Sequence, residues 1–325
     1  MPRNLSGRAL GVVHVHPEIL DGLVSHHRKK GMHGAIAPGF TPAKRFDLKY
    51  DGGKTLQNLE FKSFYLGGAA FPAADIPLID TALSGAMSDP PLNNVMQQYF
   101  PQGPITTRFL GSTVWPHTPA ATFTRDSIDT LLTDLIAANA LAGVDFASTL
   151  VCFFLPPGII LTDDRAAAPA GAQGSERRQA SHLIGEDDSA ASSLQGLGGY
   201  HGSAHIGGQK IYFAAAVYSQ MINGAPNGIP FWPDPWKNMV ATLYHELNEA
   251  RTDPDVEEYN LAPGPNIIGW YANVQGGGEI GDIPINEAGS RLALVMTEVK
   301  LANGVTAPIQ LMWSNSVHGP EGPFV

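Results

Sequence analysis

The stretch 243–255 reads LYHELNEARTDPD and carries His245, Glu246 and Glu249 within five positions. On a helix His245 and Glu249 are i and i+4, so their side chains stand one turn apart on one face, near enough to share a cation. Glu246 points to the adjacent edge. In the related His-Glu-x-x-His pattern two imidazoles bind zinc, and the glutamate between them is the general base for a metal-bound water. Here a carboxylate replaces the second imidazole. Zinc accepts His and carboxylate ligands together, and the exchange makes the bound water less acidic. A third ligand must come from outside the helix. Asp253, Asp255, Glu279 and Asp282 are the candidates, all acidic and all in turn-like sequence. Asp255 sits where a metzincin places its third ligand, but Thr252 occupies that pattern's glycine position.

The elements that must position these residues can be read around them. Asp234 followed by Pro235 is an N-cap and N1 pair. Trp236, Val240, Leu243, Leu247 and Ala250 fall at helical spacing, and Pro254 stops the run, so a helix is predicted over 235–252. TRDSIDTLLTDLIAANALAG (124–143) predicts a second amphipathic helix, opened by Thr124 or Asp126 and ended at Gly143. STLVCFFLPPGIIL (148–161) is apolar on both faces, which places it centrally in a sheet. Further strands are predicted at 59–68 and 210–219, and short helices at 76–87 and 91–100. The pattern at 291–304 fits either a strand or a helix. Residues 1–55 read as an N-terminal arm or small subdomain. Residues 163–198 are Ala, Ser, Gly and charge, too polar to offset their ordering entropy, and read as a mobile insertion.

Composition narrows the function classes. Hydrophobic residues make up 43% of 325 residues, enough for a sizeable core, and charged residues only 15%. The net charge is −10 with no basic stripe, which argues against nucleic acid as a partner. The single cysteine, Cys152, excludes an internal disulfide framework and a Cys-based zinc site, and TLVCFFL makes it a core residue. No stretch has the length of a membrane span, and as written the chain reads as cytoplasmic, or as secreted if a leader has been removed. His14 and His16 in HVHP share one face of a predicted strand. They and His26, His27 and His33 read as surface or contact residues rather than a metal site. Trp232, Trp236 and Trp270 read as core.

YHELNEARTDP followed by Gly269-Trp270 and by EIGD (279–282) resembles the C-terminal half of the exordium or phosphate-induced-protein family. YDGGKTLQNLEFKSFYLGG (50–68), FFLPPGIIL (153–161), GYHGS (199–203) and LMWSNSVHG (311–319) extend the resemblance over about residues 50–325. Relatives in that family are usually secreted and carry cysteines near these motifs. Here Ile283-Pro284-Ile285 follows Asp282 instead. The resemblance implies a zincin-like metal site and makes Tyr200 and His201 candidates for its wall, where either side chain would steady an oxyanion.

The combined expectation is a single zincin-like α/β domain over 56–325. Its mixed sheet packs on the 124–143 helix and on the metal helix 235–252. The expected activity is zinc-dependent hydrolysis of an amide or peptide bond. His245 and Glu249 bind zinc, with Asp282 preferred as third ligand and Glu279 next; Glu246 takes the proton of the bound water. Two alternatives stay open. One is a non-catalytic interaction protein with a structural metal or a buried acidic cluster. The other is a calcium site, which the acidic candidates suit and His245 does not.

Overall fold

The computed structural model describes residues 11–14, 35–163, 191–255, 268–272 and 278–322, with only the backbone for the first of these segments. Six strands form a mixed sheet: β1 (Gly11–His14), β2 (Asn58–Tyr65), β3 (Thr106–Val114), β4 (Thr149–Phe154), β5 (Leu197–Ile206) and β6 (Gln209–Ala216). Their order is β1-β5-β6-β4-β2-β3. The run β6-β4-β2-β3 is parallel, and β5 joins β6 antiparallel as a hairpin. The central position expected for the apolar strand is occupied by β4, buried along its whole length. That follows from its apolar side chains on both faces, because a strand with no polar face must be covered twice.

Five helices lie among the described residues: α1 (Asp75–Ser88), α2 (Pro90–Gln97), α3 (Arg125–Ala137), α4 (Pro235–Thr252) and α5 (Asp282–Ala288). The sheet separates two cores. On one face Ile128, Leu131, Leu132 and Leu135 of α3 pack on Phe64, Val151, Phe153 and Phe213. On the other, α1, α2 and α4 pack on Phe61, Tyr65, Leu150, Cys152, Phe154 and Tyr212. The mixed sheet therefore does pack against both predicted helices, one on each side. The helix predicted over 124–143 ends earlier, at Ala137, and Asn139 follows with a left-handed φ of 58°.

The ends of α4 match the sequence prediction, because Pro235 can only open the helix and Pro254 stops it. Asp234 stands at the N-cap, but its carboxylate pairs with Lys237 at 3.4 Å and makes no cap hydrogen bond. All fifteen residues from Asn238 to Thr252 are buried, so the polar side of this helix does not face solvent. A hairpin of β7 (Met296–Lys300) and β8 (Thr306–Gln310) covers it on the side away from the sheet. The ambiguous stretch 291–304 is thus a short 3-10 turn at Leu292–Leu294 followed by a strand.

Two expectations about loosely held segments need correction. The N-terminal region is not wholly a separate arm: the backbone of Gly11–His14 forms the edge strand beside β5, and Ala37 is tied to Pro320 by a 2.8 Å backbone bond. Of the insertion expected at 163–198, residues 191–198 are held in place. Ser192 caps the turn at Leu194, and Leu197 begins β5 fully buried. Leu197, the residue that anchors this end, was diluted by the Ala-Ser-Gly composition before it. Residues 164–190 lie outside the described residues, as do His16, His26, His27 and His33. No helix among the described residues is long and apolar enough to cross a membrane.

Candidate metal centre

The site forms where the buried polar side of α4 meets β5, α5 and β8. His245, Glu246 and Glu249 come from α4, His201 from β5, and Asp282 from the first residue of α5. The side chains of His201, His245, Glu246 and Glu249 are 0% exposed, and that of Asp282 is 13% exposed. Burying this much ionisable surface is costly unless each group meets a partner.

The first half of the site gathers His245, Glu249 and Asp282. His245 Nδ1 donates to Gln310 Oε1 at 2.8 Å, an orientation fixed because Gln310 Nε2 donates to the Gly281 carbonyl at 2.6 Å. This leaves His245 Nε2 turned towards Glu249 Oε1, 2.9 Å away, and Asp282 Oδ1, 3.9 Å away. Glu249 Oε1 is close enough to pair with a protonated His245, yet Nε2 completes no hydrogen bond among the described residues. Glu249 Oε1 itself accepts from the backbone amides of Gly281 and Asp282, both at 3.1 Å. Gly281 is required here by close approach: a Cβ on it would lie 2.5 Å from His245 Nδ1.

The second half gathers His201, Glu246 and Glu249. His201 Nδ1 is 3.0 Å from Glu246 Oε2 and 3.7 Å from Glu249 Oε2, while its Nε2 lies 3.2 Å from the Asp253 carbonyl. Gly199 on β5 lets α4 come this near: a Cβ there would meet Thr242 Cγ2 at 2.7 Å. The ligand atoms of His201, Glu246 and Glu249 lie within 4.8 Å of one another, and the same holds for His245, Glu249 and Asp282. Glu279 Oε1 is 3.5 Å from His201 Nε2 and has no hydrogen-bond partner among the described residues. Asp253 accepts from the Gly269 amide at 3.0 Å through Oδ1, and among the described residues its buried Oδ2 has no hydrogen-bond partner.

The remaining candidates fall elsewhere. Tyr200 is next to His201, but strand side chains alternate between faces. It packs edge-on against Phe213 in the α3 core, on the far side of the sheet from α4, so it cannot serve as a wall of this site. Asp255 points outward to Lys210 (3.0 Å) and Tyr212 (3.4 Å), at a cleft of ≈ 580 Å³ that Lys54 also lines. Trp232, Trp236 and Trp270 pack half-buried against the larger core. Gln310, not anticipated from sequence, is the partner that orients His245. Its signal was a single amide inside the apolar run APIQLMW, where an unpaired polar group has no reason to be buried.

The electrostatics follow from the burial. Burial pushes the His201 imidazolium down to about 4, against the opposing pull of Glu249. Burial also works against the His245 imidazolium, but Glu249 and then Asp282 and Gln310 outweigh it and hold the group above its ordinary value. Burial and then the Glu249 charge raise Glu279 well above the carboxylate range. Asp253 is raised well above it too, by burial and by Asp255 and Glu249, against the Gly269 hydrogen bond. His201 acts the other way, adding stability as pH rises through its unfolded value of about 6.5, and well above that it is neutral both folded and unfolded. There His245 and the two carboxyls act together. Each holds its proton more tightly folded than unfolded, so each loses its stabilising effect as the pH rises through its folded value. The metal-free protein is therefore expected to lose thermal stability as pH rises above neutrality, once His201 no longer titrates in either state. Excess zinc should flatten that slope. Melting temperatures in chelator and in zinc test this, and a chelated melting temperature that climbs over the same range contradicts it.

No family model matches the chain, and it matches no curated protein and no solved structure.

Proposed function

We propose that the chain is a zinc-dependent hydrolase of zincin-like architecture, with the metal held by His245, Glu249 and Asp282 and acting on an amide or peptide bond. One observation carries this reading: His245 Nε2, a fully buried imidazole nitrogen with no hydrogen-bond partner among the described residues, faces the carboxylate oxygens Glu249 Oε1 and Asp282 Oδ1. The donor set suits zinc, which takes imidazole and carboxylate oxygen together. The motif order shared with exordium-like proteins supports the same reading. When bound, the ion would polarise a carbonyl and make a water acidic enough to attack it.

The chain's own residues supply the rest. Gln310 holds His245 in the tautomer whose Nε2 faces the ligands, the usual second-layer support of a metal-binding imidazole. Glu246, beside Glu249 on the helix and 3.0 Å from His201, is the proton acceptor. His201 keeps that carboxylate in place, itself held by the Asp253 carbonyl. Asp282, the one partly exposed ligand, marks the side from which a substrate carbonyl would approach.

Glu246→Gln is expected to keep metal at the His245 triad and to lower kcat on a susceptible peptide by about 10²–10⁴. Full activity in that variant, or no turnover of a peptide library by the zinc-loaded wild type, removes the hydrolase reading. The complete burial of His245 and Glu249 favours a second reading, a structural metal in a non-catalytic protein. In that case chelation costs stability and no substrate is turned over.

A further inference from the structure

We propose that the chain holds a second divalent cation, between His201 Nδ1, Glu246 Oε2 and Glu249 Oε2, with Glu249 bridging it to the cation at His245 and Asp282. The inference goes beyond the single-metal reading and rests on it only for the shared ligand Glu249.

The two oxygens of Glu249 face different partners. Oε1 is turned to His245 and to the amides of Gly281 and Asp282. Oε2 is turned to His201, 3.7 Å away, and among the described residues it has no hydrogen-bond partner, in a side chain that is 0% exposed. The Asp253 carbonyl, 3.2 Å from Nε2, can only accept, so Nε2 carries a hydrogen and Nδ1 is the atom left for the carboxylates. Nδ1 lies 3.0 Å from Glu246 Oε2 and 3.7 Å from Glu249 Oε2, and the three ligand atoms lie within 4.8 Å of one another. A proton shared by His201 and Glu246 would satisfy that pair alone and leave Glu249 Oε2 with nothing. A cation serves all three atoms at once.

Glu246, Glu249, Asp253, Glu279 and Asp282 converge on this interior, and among the described residues Glu249, Asp253 and Glu279 have no lysine or arginine paired to them. Glu246 then gives one oxygen to the second cation and keeps the other for a proton. Paired cations sharing a carboxylate, about 3.5–4 Å apart, are the arrangement that clamps both the attacking and the leaving oxygen in hydrolysis.

Titration of the chelator-stripped full chain with zinc, followed by calorimetry, tests this. Two equivalents per chain are expected. His201→Ala should remove one of them and leave the other within about threefold of its affinity. The wild type refilled with cobalt(II) should show a spin-coupled pair by electron paramagnetic resonance, a readout that needs no variant. A single equivalent in the wild type overturns the second site and leaves the one-metal reading intact. Two equivalents without spin coupling, or two that persist in a folded His201→Ala, overturn it as well. No uptake overturns both.

Discussion

Glu249→Gln is expected to lower zinc affinity at least a hundredfold, about 2.8 kcal/mol, while the fold is kept. Gln has the same length, and its amide oxygen can still accept from the Gly281 and Asp282 amides that Glu249 Oε1 now serves at 3.1 Å. What the variant loses is the negative charge and the anionic oxygen turned towards His201. Because both triads use this residue, no other single substitution should cost as much metal. Competition with a chelating dye gives the affinity, and far-ultraviolet circular dichroism checks the fold. A variant that binds zinc like the wild type contradicts the assignment of Glu249 as a ligand.

Arg251→Ala should be the most destabilising change on the same helix, by about 3–5 kcal/mol. Arg251 is fully buried in the last turn of α4, and burial pushes its guanidinium down to about 10, so it stays charged at neutral pH. It donates to the carbonyls of Gln57 and Thr106 at 3.2 Å and to the Thr107 hydroxyl, tying α4 to the starts of β2 and β3. Truncation would leave two carbonyls without this donor and a cavity the size of the side chain. Arg251→Met, which keeps the stem and loses the donors, separates the two contributions. Urea midpoints measure both. A loss below about 1 kcal/mol for Arg251→Ala would show that the loop ends find other partners.

The bounds of α4 were legible because Pro235 and Pro254 act locally, and β4 because an apolar run has only one stable place in a sheet. His245, Glu246 and Glu249 were legible by spacing. Their burial was not, since nothing in a helix's own sequence says that a hairpin such as β7–β8 will cover its polar side. The division between Tyr200 and His201 was also hidden. LGGYHGSAHI has too many glycines to show the alternation of a strand, and only the pairing of β5 with β6 decides which neighbour faces α4. Asp253 acts on His201 through its backbone carbonyl, a role that side-chain reasoning does not see. The choice among Asp253, Asp255, Glu279 and Asp282 depended on loop geometry and on the hydrogen bond between Gln310 and Gly281.

The central claim is that α4 carries a divalent metal. Elemental analysis of the purified chain, after equilibration with zinc and removal of the excess, tests it most directly, with His245→Ala measured beside the wild type. The account predicts at least one zinc per chain, and its loss at the His245 triad in a variant whose circular dichroism is unchanged. A wild type without metal, or a folded His245→Ala with the same metal content, would mean that the cluster is held together by protons, and the metal centre would be abandoned.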